Sequence, residues 1–297
     1  MRYFMTGASG WIGLPTTRSL IAAGHEVIGL ARSEASAAAI EAAGGATARG
    51  DIEDLAMLRE LAAASDGVVH MAFRHDIAFT GDFAGAAASD LAAIEAFGDA
   101  LAGSGKPLVI ASGTLGVKPG AVGTESDVPD GDENPRLANA KATLALAKRD
   151  VRSVVIRFAP TVHGQGDHGF VATLVDIARQ SGVSGYLGDG SNRWPAVHVS
   201  DAADLVALAT VNAPAGSVLH AVAEEGVTTR SIAEAIGRRL GVPVKSVPEA
   251  GAEHFRFLAR FFGMDSPASN EITRNLLGWT PSGPTLLEDL DAGRYTS

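Results

Sequence analysis

Cysteine is absent from the 297-residue sequence. Its absence excludes disulfide bonds, thiolate metal sites and cysteine nucleophiles. Tyrosine is scarce, because the chain contains only Tyr3, Tyr186 and Tyr295. Any reaction step that needs a phenol as its proton donor is therefore restricted to these three side chains.

Basic residues are in the minority, with 24 Lys and Arg against 34 Asp and Glu and a formal net charge of -10. This excess of negative charge excludes a general attraction to nucleic acid or to anionic membranes. Apolar runs are short and broken by Gly or charge, so none approaches the ~20 residues needed to span a bilayer. Met1 and Arg2 lead straight into a predicted strand, without a separate signal sequence. We expect a cytoplasmic protein with small-molecule partners.

A glycine-rich turn follows the apolar run at residues 3–5, and residues 6–13 read Thr-Gly-Ala-Ser-Gly-Trp-Ile-Gly. Gly7 can supply a sharp turn, Gly10 lets the backbone approach a pyrophosphate, and Gly13 lets a helix lie close to the strand. This spacing after a strand and before a helix predicts a dinucleotide-binding turn. The cofactor-binding residues predicted here are Gly7, Ser9, Gly10, Trp11, Ile12 and Gly13.

Hydrophobic periodicity predicts strands that alternate with helices over the first 160 residues. The predicted strands are 3–5, 26–32, 46–50, 67–73, 108–111 and 151–158. The predicted helices are 11–23, 33–43, 53–64, 83–102 and 136–148. Such alternation predicts an α/β protein with a Rossmann-type, doubly wound, mainly parallel sheet. We assign residues 1–160 to a nucleotide-binding domain.

Beyond Pro160 the alternation loosens. We predict short strands at 197–199 and 217–222, and helices at 170–180, 201–210, 229–240 and 270–277. Gly241 and Gly278 are the expected ends of the last two helices. Residues 161–297 are therefore predicted to form a smaller α/β substrate lobe, interwoven with the first domain rather than linked to it. The Gly-, Pro- and Asp-rich loop 113–135 leaves the carboxyl end of a strand, where ligands bind in open sheets.

The residue after the second strand selects the nicotinamide cofactor. An acidic residue there would bind the ribose hydroxyls of NAD, but the chain has Arg32 followed by Ser33. A guanidinium can bind a 2′-phosphate and a hydroxyl can add a hydrogen bond, so we predict NADP(H). The alternative is a solvated arginine at the start of a helix.

The ends of the third and fourth strands are further cofactor candidates. Asp51 and Ile52 follow the third strand where an adenine ring would lie, although Asp51 could instead cap a helix. Met71, Ala72 and Phe73 end the predicted fourth strand. Small or apolar residues there would line the inner part of the cofactor channel.

Several motifs together resemble an extended short-chain dehydrogenase/reductase of the atypical branch, similar to NAD-dependent epimerases and dehydratases. Besides the glycine turn, they are Gly50-Asp-Ile52, Leu108-Val-Ile-Ala-Ser112, Arg157-Phe-Ala-Pro160, Val162-His-Gly164, Trp194-Pro-Ala-Val-His-Val-Ser-Asp201 and Leu277-Gly-Trp-Thr-Pro281. The resemblance implies that Pro160 packs near the nicotinamide, that the later segments shape the substrate pocket and that two chains pair as a homodimer.

The expected catalytic helix departs from this family pattern. Family members that transfer hydride use Ser or Thr together with Tyr and Lys, the last two on one helical face. Lys141 matches the lysine, but Leu137 stands four residues earlier in place of tyrosine, and no tyrosine of the chain precedes a lysine by four residues. Leucine cannot transfer a proton. Lys141 is expected to bind the nicotinamide ribose, unless it is a solvated helix lysine.

The family serine is also ambiguous, because the register puts Gly113 at its position, between Ser112 and Thr114. In extended backbone these two hydroxyls share a face, so only geometry can choose between them. Both could instead stabilise a turn.

Histidines could replace the missing tyrosine, because imidazole titrates near neutrality. His163 is the best candidate, just past Pro160, and His75, His168 and His198 are further candidates. A histidine on a loop or strand is usually a hydrogen-bonded structural group, which is the alternative for all four. Arg193 and Trp194 could hold an anionic or ring-bearing substrate, unless they are a surface arginine and a core tryptophan. We expect no metal, since no ligand spacing emerges.

The sequence therefore predicts an NADP(H)-dependent oxidoreductase acting on a small carbonyl, alcohol or related substrate. One alternative is a protein that binds NADP(H) as a signal or structural ligand without turnover. The other is a redox-neutral epimerase, isomerase or lyase that recycles its cofactor. The chain has no G-x-S-x-G elbow, no GK[ST] phosphate loop and no basic aromatic platform to support other classes.

Overall fold

A seven-stranded sheet forms the centre of the computed structural model, which describes residues 1–78, 80–129, 134–247 and 252–295. The strands in spatial order are β10 (Ser217–Ala221), β6 (Arg152–Phe158), β5 (Pro107–Gly113), β4 (Gly67–His70), β1 (Arg2–Thr6), β2 (Glu26–Ala31) and β3 (Ala46–Arg49). Every neighbouring pair is parallel. The predicted Rossmann-type, doubly wound sheet is confirmed.

Helices cover both faces of this sheet. One face packs against α1 (Gly13–Ala22), α2 (Glu34–Ala42) and α8 (Val199–Asn212), and the other against α3 (Leu55–Ala63), α5 (Phe83–Leu101) and α6 (Pro135–Ala145). Side chains of β1 alternate between the two cores, because Tyr3 and Met5 enter the first and Phe4 the second. Both faces are buried, which explains why the inner strands read as nearly continuous apolar runs.

Two smaller sheets lie beyond Pro160. One contains β7 (Thr161–His163), β9 (Arg193–His198) and β11 (Glu224–Thr228), and the other contains β8 (Ser184–Leu187) and β12 (Val244–Val247). The helices that accompany them are α7 (Phe170–Ser181), α9 (Thr229–Leu240), α10 (Ala252–Phe255), α11 (Ala259–Phe262), α12 (Glu271–Leu277) and α13 (Leu286–Asp291). A short helix, α4 (His75–Ala78), and two 3-10 turns, Leu146–Arg149 and Arg256–Leu258, complete the described elements.

The structure corrects several predicted elements. The strand predicted at 217–222 belongs to the central sheet rather than to the lobe, because Ser217–Ala221 pairs with β6 from Val154 to Phe158. The fourth strand ends at His70 instead of Phe73, and β5 extends to Gly113. Gly241 and Gly278 end their helices as predicted, with φ angles of 68° and 66°. The division at residue 160 stays a prediction.

None of the helices in the described part of the chain has the length and apolar composition required to cross a membrane.

Candidate functional site

The glycine turn between β1 and α1 is tightly closed. Gly7 has a φ of +69°, and a Cβ on it would lie 2.8 Å from the Ala72 nitrogen. A Cβ on Gly13 would overlap the Gly7 carbonyl, and the Gly10 amide donates to that carbonyl at 2.9 Å. No side chain caps the amino end of α1. The close backbone and the amino end of α1 without a side-chain cap therefore fit the pyrophosphate of a dinucleotide.

Trp11 joins this turn to the second half of the chain. Its indole Nε1 donates to the Val162 carbonyl at 2.9 Å, and its ring meets the His168 ring edge to face at 5.9 Å. Ser9 and Ile12 are half-buried beside the turn, and His168 is exposed. The turn, β7 and the start of α7 therefore meet at one edge of the central sheet.

Arg32 lies beyond β2 with its guanidinium 3.9 Å from Asp51 and 3.9 Å from Asp76, and 56% of its side chain is exposed. The Ser33 hydroxyl caps α2 by accepting from the Ser36 amide at 3.1 Å. Asp51 accepts from the Glu53 amide and does not cap α3, because Asp54 occupies that position. Ile52 is buried.

The segment after β4 forms the next part of this edge. Met71, Ala72 and Phe73 are half-buried, and the Arg136 guanidinium lies 4.3 Å from the centre of the Phe73 ring. The His75 ring contacts Phe73 at 5.2 Å. Desolvation, followed by repulsion from Arg136, lowers the pKa of His75. His75 is therefore neutral at neutral pH, which does not suit a general acid.

A buried hydrogen-bonded chain, which we call the Thr6–Asn139 chain, connects the glycine turn to α6. Thr6 Oγ1 lies 2.6 Å from His70 Nδ1, and His70 Nε2 lies 3.1 Å from Asp90 Oδ1. Asn139 donates to Asp90 Oδ2 at 2.7 Å. Since the Asp90 carboxylate accepts from Nε2, Nδ1 is left to accept the Thr6 hydroxyl proton. All four side chains are buried.

The hydrogen bonds of the Thr6–Asn139 chain keep Asp90 charged. Burial alone would raise the pKa of Asp90, but the hydrogen bonds from His70 and Asn139 outweigh it and lower the pKa. The sequence reading missed these residues. The sequence contained one signal for the Thr6–Asn139 chain, His70, which is a polar side chain at the end of the otherwise apolar strand Gly67–His70.

The catalytic helix predicted from the family pattern is α6. Leu137 is buried, and Lys141 is exposed one turn later. Arg136 is also on this helix and donates to the Ala111 carbonyl at 2.9 Å, which attaches the start of α6 to β5. Asn139 attaches the middle of the helix through the Thr6–Asn139 chain. Lys141 therefore stands on a helix that is fixed at two points.

The two candidate hydroxyls at the end of β5 differ in their partners. Both are buried, with Ser112 5% and Thr114 2% exposed. Thr114 Oγ1 donates to the Phe158 carbonyl at 3.3 Å. Ser112 Oγ has no hydrogen-bond partner among the described residues. Geometry thus favours Ser112 as the hydroxyl that is left for a ligand.

A second buried polar cluster lies next to Ser112. Ser112 pairs in register with Arg157 of β6, whose Nη1 lies 3.3 Å from His220 Nε2. His220 Nδ1 donates to the Ser269 carbonyl at 2.8 Å, so Nε2 is the acceptor. Burial lowers the pKa of His220 to about 4. These residues were not singled out individually from the sequence, although Arg157 begins one of the resembling motifs.

His163 lies in the interior rather than on the open edge. It has no exposed surface, and its Nδ1 is 2.7 Å from Asp289 of α13, which is equally buried. Its Nε2 is 4.0 Å from Glu224, and burial lowers the pKa of His163. His198 is nearby, with the two rings 5.5 Å apart, and accepts from the Ser200 amide at the start of α8. The contacts of His163 and His198 are thus with side chains and backbone of the protein interior, which is the structural alternative to a catalytic role.

Arg193 and Trp194 lie on β9 but in different surroundings. Arg193 forms a bidentate pair with Asp265 at 3.0 and 2.9 Å. Trp194 is fully buried among aromatic rings. Pro160 is half-buried between β6 and β7. In the described ranges, no three His, Asp or Glu side chains are placed to hold a metal ion.

A family model described as the NAD dependent epimerase/dehydratase family matches residues 3–221. Two full-length relatives are similar in sequence. Uncharacterized protein C2A9.02 of Schizosaccharomyces pombe is 46% identical, over 99% of this chain and 100% of its own length. Uncharacterized protein YLL056C of Saccharomyces cerevisiae is 42% identical, over 98% of each chain.

Solved structures share the fold at lower identity. The UDP-glucose 4-epimerase of Thermotoga maritima, solved with UDP-glucose, has a TM-score of 0.77 at 18% identity and covers 99% of this chain and 97% of its own. The dTDP-glucose 4,6-dehydratase of Streptomyces venezuelae, solved with NAD, has a TM-score of 0.76 at 22% identity and covers 99% and 96%. At such identities the likeness concerns the fold.

Proposed function

The chain belongs to the NAD dependent epimerase/dehydratase family, and on that premise we propose that it is an NADP(H)-dependent oxidoreductase acting on a small carbonyl or alcohol. The observation that carries the proposal is the glycine turn, where Gly7 and Gly13 leave no space for a side chain at the uncapped start of α1. When bound there, NADP(H) supplies or accepts the hydride.

Arg32 supports NADP(H) over NAD(H). Its contacts to Asp51 and Asp76 are long, at 3.9 Å each, and exposed ion pairs of this kind contribute little. A phosphate group offers a guanidinium short, charge-assisted and bidentate hydrogen bonds. These weak contacts leave the Arg32 guanidinium available to a 2′-phosphate, and Ser33 lies next to Arg32 at the start of α2.

The Arg32→Asp substitution tests the cofactor preference. We expect it to raise the Kd of NADPH at least tenfold and to leave or strengthen NADH binding, because a third carboxylate beside Asp51 and Asp76 would repel the 2′-phosphate. The matched control is Arg49→Asp at the end of β3, which changes the charge equally and is expected to shift the Kd less than twofold. Fluorescence titration measures both. An unchanged ratio of NADPH to NADH affinity would contradict the proposal.

We assign Ser112 and Lys141 to the part of the site where the nicotinamide and the substrate would react. The Ser112 hydroxyl has no partner among the described residues, which supports its assignment as the donor to a substrate oxygen. Lys141 is exposed on α6 and would bind the nicotinamide ribose. Because His163 is enclosed with Asp289, we assign the transferred proton to water rather than to this histidine. Thr114 has a structural role in the proposal, since its hydroxyl bonds the Phe158 carbonyl.

Binding without turnover is the second candidate function, and the buried Leu137 at the expected tyrosine position favours it. Redox-neutral chemistry is the third, and the family description favours it. NADPH absorbance and product analysis separate the three functions. Consumption of NADPH with a carbonyl substrate supports the oxidoreductase. Product without net NADPH loss supports an epimerase or lyase, and tight binding with neither supports a sensor.

A further inference from the structure

The Arg136 guanidinium lies between the segments that follow from the ends of β4 and β5. Its Nη2 donates to the Ala111 carbonyl at 2.9 Å, and its Cζ lies 4.3 Å from the centre of the Phe73 ring. Ala111 directly precedes Ser112 near the end of β5, and Phe73 belongs to the segment after β4. The two strands are neighbours in the central sheet, and ligands bind at the carboxyl ends of parallel strands. Arg136 is therefore at the edge where the cofactor and the substrate are expected.

Ser112 lies on the same side of the sheet as Arg136. Leu108 and Ile110 of β5 pack into the core that also contains Ala140 of α6. Alternate side chains of a strand share a face, so Ser112 points to the α6 side as well. Its hydroxyl is buried and has no hydrogen-bond partner among the described residues. An unpartnered hydroxyl and a cation are therefore found at the same end of one face.

The positive charge of Arg136 lacks a carboxylate partner in direct contact. Across the described ranges Arg136 forms no ion pair, and the Ala111 carbonyl is the one acceptor of its side-chain N–H groups. Asp90 is the carboxylate whose charge acts on it, but the two Asp90 oxygens accept from His70 and Asn139. Desolvation outweighs the charge of Asp90 and lowers the pKa of Arg136. Because a desolvated cation gains most from a direct anionic partner, this position favours an anionic ligand.

Arg136 can bind an anion but cannot supply the missing proton. A guanidinium stays protonated in proteins, so it offers a permanent charge and N–H donors. Leu137, the next residue, is buried and has no proton to give. Arg136 therefore acts through the binding and orientation of a ligand.

The positions of the two groups indicate which anion fits. Ala111 and Ser112 are consecutive residues, so a ligand that reaches both Arg136 and Ser112 carries its anionic group close to the oxygen that the serine holds. A guanidinium matches the two oxygens of a carboxylate in a planar, bidentate arrangement. In a 2-oxo acid the carboxylate and the carbonyl are on adjacent carbons. A small 2-oxo acid therefore meets both requirements.

We propose that Arg136 binds the carboxylate of the substrate and that this substrate is a small 2-oxo acid. The inference rests on the proposed oxidoreductase function and names its substrate class and a specificity-determining residue. The N–H groups of Arg136 would hold the carboxylate, and the Ser112 hydroxyl would donate to the carbonyl oxygen. In the reaction, the carbonyl carbon takes a hydride from NADPH, leaving NADP+, and the carbonyl oxygen takes a proton from water. The product is a 2-hydroxy acid.

The turnover experiment compares each acid with its uncharged amide on the full chain. 2-Oxobutanoate, 2-oxobutanamide, phenylglyoxylate and phenylglyoxylamide are offered with NADPH, and kcat/KM is measured for each. We expect the better acid to exceed its own amide at least tenfold, and Arg136→Gln to remove this preference. An amide that reacts as fast as its acid would overturn the substrate class and leave the oxidoreductase function standing.

A binding measurement tests the carboxylate site without turnover. Oxamate, an unreactive analogue of a small 2-oxo acid, and ethyl oxamate, its uncharged ester, are titrated by calorimetry into the full chain with and without NADPH. We expect oxamate to have a Kd at least tenfold below that of the ester. Equal affinity for the two compounds, or no oxamate binding under either condition, would overturn the inference. Oxamate binding to a chain that does not bind NADPH would contradict the proposed function and leave the carboxylate site standing.

Variants of Arg136 locate the effect. Arg136→Gln is expected to raise the Kd of oxamate at least tenfold while changing the Kd of ethyl oxamate and of NADPH less than twofold. Arg136→Lys keeps the charge without the planar fork, so its Kd for oxamate should lie between the two. Equal weakening of oxamate and its ester, or an unchanged Kd for oxamate, would contradict the assignment, because a purely structural arginine would not distinguish the two ligands.

Arg59→Gln is the matched control. Arg59 is exposed on α3 and also donates to a backbone carbonyl, that of Leu55 at 3.3 Å. Its substitution removes the same charge and a comparable hydrogen bond, and it should leave all three Kd values unchanged. Thermal unfolding confirms that each variant is folded, and Arg136→Lys carries the test if Arg136→Gln does not fold.

Discussion

Asp90 shows how one buried carboxylate can connect two segments of the fold, the glycine turn and α6. Its two oxygens each accept a hydrogen bond, one from His70 and one from Asn139. The first partner leads to Thr6 at the glycine turn, and the second lies on α6 between Leu137 and Lys141. A buried charge is tolerated only where such donors surround it. The position of Lys141 relative to the turn therefore depends on Asp90.

Asp90→Asn is expected to lower the free energy of unfolding by about 2–4 kcal/mol. An amide has one acceptor oxygen, so its NH₂ group would face the donor of either His70 or Asn139. Urea unfolding measures the loss. Asp99→Asn, on the same helix but exposed and paired with Arg149, is the control and should cost less than about 1 kcal/mol. Equal losses in the two variants would refute the special role of Asp90.

At the residue scale, features set by neighbouring residues could be predicted from the sequence, whereas contacts between residues far apart in the sequence could not. A close approach of backbone is encoded in the spacing of Gly7, Gly10 and Gly13, so the turn could be recognised without a fold. The enclosure of His163 by Asp289 joins residues 126 positions apart, and nothing in the local sequence announces it. The pairing of Arg193 with Asp265 is equally non-local. The chemistry of the site therefore depends on tertiary contacts that the local sequence does not specify.

At the scale of elements, α1 is the part whose geometry is most demanding. Its first residue, Gly13, packs directly on the Gly7 carbonyl, so the helix lies closer to β1 than a side chain would allow. This closeness brings the uncapped amides of the helix to the carboxyl edge of the sheet. A shift of α1 would move those amides away from the expected pyrophosphate.

Gly13→Ala is expected to weaken NADPH binding more than tenfold and to lower the free energy of unfolding by about 1–3 kcal/mol, because the new methyl group forces the helix and turn apart. Gly263→Ala is the control: its Cβ would meet the flexible Leu187 side chain at 3.3 Å and the Ala259 carbonyl at an ordinary contact distance of 3.9 Å, and its effect on NADPH affinity should be negligible. Fluorescence titration and urea unfolding report the two quantities. Native-like affinity in Gly13→Ala would contradict the assigned turn.

The end of a helix could be predicted where a glycine marks it in the sequence. The neighbours of a strand in a sheet could not be predicted. Gly241 and Gly278 end their helices in the left-handed conformation that glycine favours. The apolar run at β10 was recognised as a strand, but a short run does not indicate which sheet it joins. Its place at the sheet edge depends on register with β6, a contact made 63 residues apart in the pair Arg157 and His220.

At the scale of the whole molecule, several strands and helices contribute to one buried polar cluster that responds to pH. His220 of β10 contacts Arg157 of β6 and the Ser269 carbonyl before α12. Glu125 faces the same cluster and accepts from Thr273 of α12. Protonation of His220 would place a second cation beside Arg157 in a buried site. Acid should therefore loosen the contact between the central sheet and α12.

The pH dependence of global stability tests this cluster. The pKa of His220 falls to about 4 in the folded chain from 6.5, so the unfolded chain binds the additional proton between these values. Stability contributed by neutral His220 is present above pH 6.5 and is lost as pH falls towards 4, on the order of 2–3 kcal/mol. His220→Gln, which keeps a donor and an acceptor, should flatten this part of the profile.

Urea unfolding at several pH values measures the profile. His168→Gln, an exposed histidine at the Trp11 ring, is the control and should leave the slope unchanged. If the native chain and His220→Gln lose stability in parallel between pH 6.5 and pH 4, the assignment to His220 is wrong.

The pair of His163 and Asp289 has a consequence for how the protein is made. The ribosome synthesises Asp289 126 residues after His163, so β7 is made long before the carboxylate that pairs with its imidazole. The central sheet can pair its first six strands much earlier, because their contacts are complete by Phe158. The nascent chain can thus complete the first six strands of the central sheet before α13 is made. Chaperones that meet the growing chain would encounter the surface under α13 during this interval.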